Sequence, residues 1–60
     1  MYICYFLSAI LPNGKETTFR FGTHQGYLQF LKDNKEWGIK ILRTEQHIHF
    51  ENGYVEIHVS

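Results

Sequence analysis

The chain has 60 residues, its six Lys and Arg balance six Asp and Glu, and aromatic side chains make up 17% of it. These values predict one small domain, residues 1–60, with a packed core, and the balanced charge lacks the basic excess or stripe of a dedicated nucleic-acid or acidic-membrane binder. Cys4 is the only cysteine, so no intramolecular disulfide can staple the fold, which suits a reducing, cytoplasmic location.

The opening run Tyr2–Leu11 (YICYFLSAIL) is apolar at nearly every position and rich in β-branched and aromatic residues. It lacks the basic flank and cleavage site of a signal peptide and is too short to span a bilayer as a helix. Its pattern predicts a strand covered on both faces. Pro12-Asn13-Gly14 ends it as a three-residue loop, because Pro presets the φ of a type I turn and Gly accepts the left-handed conformation that follows. That loop pairs Leu7 with Phe19 and Tyr5 with Phe21. A two-residue turn at Asn13-Gly14 would pair Phe6 with Phe21 instead, and Pro12 favours the first arrangement.

Glu16–Phe21 (ETTFRF) alternates as a half-buried strand. Thr23 is then the predicted N-cap of an amphipathic helix from His24 to Glu36, with Tyr27, Leu28, Phe30, Leu31 and Trp37 on one half of its wheel and Gly38 as its stop. In Ile39–Phe50 the apolar parity switches from odd (Ile39, Ile41) to even (Leu42, Ile48, Phe50), which predicts a β-bulge near Arg43–Glu45.

Asn52-Gly53 lies between alternating runs and predicts a hairpin with a two-residue type I′ turn. In that register Phe50 faces Val55, His49 faces Glu56, Ile48 faces Ile57 and His47 faces His58. The elements together make an α+β ββαββ domain with a four-stranded, mainly antiparallel sheet and the helix on one face. A right-handed crossover and a two-sided first strand favour the order 2-1-3-4, with 2-1-4-3 the alternative.

The hairpin register gathers His47, His49, Glu56 and His58 on one outer face, where side chains are close enough to share a ligand. His47, His49 and His58 could make a small metal-binding domain, but no fourth strong ligand is placed beside them, so that reading ranks last and the expectation is a solvated polar face with no bound metal or cofactor. His47 and His58, directly opposed, would repel if both were charged. Nucleophilic chemistry finds no support: Cys4 sits in an apolar strand, Ser8 and Ser60 lack a nucleophile elbow, and no glycine-rich phosphate loop is present. The chain therefore reads as no enzyme.

Tyr2, Phe6, Arg20 and Tyr54 form the predicted interaction face. Tyr and Arg are enriched at protein interfaces, and a single helix leaves one side of the sheet bare. The expectation is a small non-catalytic interaction or regulatory protein, of the size encoded by small bacterial, phage or mobile-element genes. It should be a homodimer joined through the bare face or a sheet edge, with no membrane partner. The alternative is a nucleic-acid-binding module that stacks bases on the sheet aromatics and uses Arg20 for phosphate.

Overall fold

The four buried residues, Cys4, Tyr5, Leu7 and Ala9, all lie on one strand, and the other elements are arranged around it. In the computed structural model, which describes every residue from Met1 to Ser60, that strand is β1 (Tyr2–Ile10). It is followed by β2 (Glu16–Phe21), helix α1 (His24–Trp37), β3 (Lys40–His49) and β4 (Val55–Val59). The strands form one open antiparallel sheet in the order β2-β1-β3-β4, giving the α+β ββαββ domain. β1 is apolar on both faces and so occupies a central position, paired on either side.

The first hairpin forms as its loop predicts. Gly14 takes φ 86°, Leu11 and Lys15 close the loop through a 2.9 Å backbone bond, and the Asn13 side chain accepts the Lys15 N–H. The register pairs Leu7 with Phe19 and Tyr5 with Phe21. Ile3, Tyr5, Leu7 and Ala9 consequently share one face with Thr17, Phe19 and Phe21, and the helix lies on that face.

Thr23 caps α1 by accepting the Gly26 N–H at 3.1 Å. Gly38, at φ 67°, ends the helix, and the N–H groups of Gly38 and Ile39 return to the carbonyls of Lys35 and Asn34. Aromatic contacts dock α1 on the sheet: Phe30 on Phe19 at 4.8 Å and on Phe21 at 5.3 Å, and Tyr27 on Tyr5 at 4.9 Å. These anchors belong to β1 and β2 alone. No residue of α1 is fully buried, and Leu28 and Trp37 remain half exposed, so the apolar half-wheel is only partly used.

The parity switch in the third strand has its bulge. Ser8 pairs with Arg43 but Ala9 pairs with Ile41, which makes Leu42 the extra residue, one position before the predicted range. The bulge brings Ile41 and Ile48 to the same helix-side face despite their opposite parity.

The second hairpin departs from its predicted register by one residue. His49 faces Val55, Ile48 faces Glu56, His47 faces Ile57 and Gln46 faces His58. No non-glycine residue has positive φ, so Asn52 cannot occupy a type I′ turn. Glu51-Asn52-Gly53 forms a three-residue loop instead. Gly53 takes φ 87°, Phe50 donates to the Tyr54 carbonyl at 2.9 Å, and Asn52 Oδ1 accepts the Tyr54 N–H at 3.0 Å. It is the same device as the Pro12-Asn13-Gly14 loop, and it confines the positive φ to glycine.

Candidate interaction face

That one-residue shift decides what the helix-free face of the sheet carries. Alternation on β1 places Tyr2, Cys4 and Phe6 there, opposite His49, His47 and Glu45 of β3. Arg20 of β2 joins them across from Phe6. On β4 the shift sends Val55, Ile57 and Val59 to this open face and turns Glu56 and His58 to the helix side. The predicted histidine cluster is therefore divided. His47 and His49 lie on the open face, and His58 and Glu56 on the other. His47 opposes Ile57, not His58, and His49 opposes Val55, not Glu56.

The predicted interaction residues are divided as well. Tyr2, Phe6 and Arg20 share the open face. Tyr54 packs against Phe50 at the hairpin tip, ring centroids 5.8 Å apart, and by alternation falls on the helix side. The apolar residues that take its place are Val55, Ile57 and Val59. Their signal lay in the likeness of Leu-Pro-Asn-Gly-Lys to Phe-Glu-Asn-Gly-Tyr, since a loop that forms once with Asn-Gly at its second and third positions serves again in the same pattern.

Two aromatic–imidazole pairs bridge β1 and β3 on this face. Tyr2 stacks on His49 with centroids 4.3 Å apart and 6° between planes, and Phe6 lies 4.3 Å from His47 at 37°. The second pair seals Nε2 of His47 from solvent without a hydrogen-bond partner. The Glu45 carboxylate approaches that nitrogen only to 3.6 Å, beyond hydrogen-bonding range. On the other side Arg20 reaches across to Cys4, its guanidinium 3.3 Å from Sγ, a basic neighbour that the apolar surroundings of Cys4 in sequence did not predict.

No group of three or more His, Cys, Asp or Glu side chains is arranged to hold a metal ion. The one surface concavity lies elsewhere, on the outer side of α1, lined by Gln25, Gly26, Leu28, Gln29 and Lys32. No helix is long and apolar enough to cross a membrane. Comparison of the chain with protein-family models, curated proteins and solved structures gives no match.

Proposed function

We propose that this chain is a small non-catalytic interaction or regulatory protein of the cytoplasm, homodimeric and working through the open face of its sheet. The observation that carries this reading is the set of exposed apolar side chains on that one face, Tyr2, Val55, Ile57 and Val59, beside the half-buried Phe6. Single exposed apolar residues are ordinary on a protein surface, whereas several on one sheet face are characteristic of an interface. The charges beside them have both signs, Arg20 and Glu45, which favours a protein partner over a polyanion. The small size supports self-association, because a second subunit adds the burial that so short a chain lacks.

One observation favours a second reading, a nucleic-acid-binding module. The flat Tyr2–His49 stack, with Tyr2 exposed, is a platform of the kind on which unpaired bases lie. The zero net charge and the carboxylate of Glu45 on the same face weigh against it.

Two measurements separate the readings. Sedimentation equilibrium at concentrations on the order of tens of micromolar is expected to give a dimer, and a monomer there overturns the homodimer. A random single-stranded oligonucleotide, titrated at physiological salt, is expected not to bind with submicromolar affinity. Such binding, weakened by Arg20→Ala and by added salt, would replace the protein-interaction reading with the nucleic-acid one.

A further inference from the structure

We infer that the second copy pairs along the free edge of β4, antiparallel and centred on Ile57, so that the two sheets become one continuous sheet. Resting on the homodimer proposed above, this pairing specifies which surfaces meet and in what register.

The backbone sets the first condition. Thr44 and Ser60 exchange both of their hydrogen bonds, Ser60 donating at 2.9 Å and Thr44 at 3.5 Å. In an antiparallel ladder such pairs alternate, so Glu56 and His58 also direct their backbone groups to β3. Val55, Ile57 and Val59 then aim N–H and C=O at the unpaired edge. A two-fold axis through Ile57 uses those groups: Ile57 pairs with Ile57 of the partner subunit, and Val55 with Val59 of the partner subunit.

The side chains meet the second condition, because Val-Glu-Ile-His-Val is complementary to itself when reversed. About a centre at Ile57, Glu56 falls opposite His58 of the partner subunit, and His58 opposite Glu56 of the partner subunit. These are the non-hydrogen-bonded positions, where Cα atoms approach to about 4.5 Å and side chains interact most closely. Within one chain Glu56 Oε1 and His58 Nε2 are already 2.6 Å apart, so the pairing closes two carboxylates and two imidazoles into one group. On the opposite face the same register sets Val against Val and Ile against Ile.

Exposure supplies the third condition. Val55, Ile57 and Val59 are 40%, 55% and 59% exposed on a strand without the Pro, Lys or bulge that blunts natural edges. The molecule exposes 4455 Å² in all, against roughly 4,100 Å² for a compact monomer of its 7.2 kDa mass. The other edge, β2, presents Glu16, Thr18 and Arg20 to the open face, while its Phe19 and Phe21 already lie under α1, so pairing there covers little new apolar surface. The helices raise no obstacle at the β4 edge, since each rests over β1 and β2 of its own sheet. The open faces of the two subunits would then run on as one.

The test is sedimentation equilibrium of wild type, His58→Glu, Glu56→Lys/His58→Glu and Phe6→Glu, with amide exchange of the wild type followed residue by residue. His58→Glu sets carboxylate against carboxylate and is expected to weaken the dimer about tenfold or more, and the double variant, which restores opposite charges, to return it to within about threefold of wild type. Phe6→Glu should stay dimeric, and the amides of Val55, Ile57 and Val59 should exchange slowly at dimer-forming concentration and fast on dilution. A wild-type dimer whose edge amides exchange freely overturns the edge pairing and leaves the homodimer standing. So does a folded Phe6→Glu that is monomeric, or a double variant no better than His58→Glu. A monomeric wild type overturns both. Should His58→Glu fail to fold, as judged by circular dichroism, the wild-type exchange pattern decides alone.

Discussion

Tyr2 and His49, direct partners across β1 and β3, stack almost parallel with ring centroids 4.3 Å apart. The contact holds the first residue of the central strand against the last residue of its neighbour, so it clamps the end of the sheet farthest from the bulge. A double-mutant cycle with Tyr2→Ala and His49→Ala should give a coupling of about 0.5 kcal/mol, the low end for aromatic pairs because Tyr2 is largely exposed. Urea unfolding measures it, and a coupling of zero would make the stack decorative.

Leu7 is the largest side chain with no exposed surface, set between the Phe19 and Thr44 strands under the helix. Leu7→Ala should cost about 3 kcal/mol, from lost transfer energy and the cavity left behind. A domain of this length is expected to hold only about 3–9 kcal/mol in total, so the variant should be substantially unfolded near its former melting temperature. An unchanged urea midpoint would mean that the core closes elsewhere.

The two Asn-Gly loops predict an unequal pair of substitutions. Gly53→Ala places a Cβ at φ 87° and should cost about 1 kcal/mol, as should Gly14→Ala at φ 86°. Asn52→Ala loses only the acceptor for the Tyr54 N–H and should cost about 0.5 kcal/mol. In a type I′ turn both loop residues would need positive φ, and the Asn52 and Gly53 variants would then be equally harmful. Thermal unfolding of the three variants distinguishes the geometries.

Zinc should leave the melting temperature unchanged, because His47 and His49 lie on one face of the sheet and His58 with Glu56 on the other. A zinc-dependent rise that disappears in both His47→Ala and His58→Ala would show that one ion gathers side chains from the two faces. The same separation removes the charge repulsion that direct opposition of His47 and His58 would impose.

Local chemistry in the sequence determined most of the fold. The alternation of ETTFRF, Thr23 before an apolar half-wheel, Gly38 after it and Pro12 ahead of Asn13-Gly14 each specify a backbone state from neighbouring residues alone, and the elements follow to within one residue at each end. The two-sided apolarity of β1 placed it inside the sheet, which is compatible with both 2-1-3-4 and 2-1-4-3, and the tertiary structure has the favoured first order. The face of β4 was decided only by tertiary structure. Read in isolation, VEIHV sorts best with Ile57 beside Ile48, since that collects apolar residues on one side, and the rule assumes that the helix covers the whole sheet. The helix instead rests on Phe19, Phe21 and Tyr5, at the other end of the strand order, and gives β4 no apolar cover. Without that burial to enforce the sorting, the loop prevailed: the three-residue form places positive φ on Gly53 alone, where no Cβ opposes it, whereas the two-residue form would also require it of Asn52, and this difference turned Val55, Ile57 and Val59 to the open face.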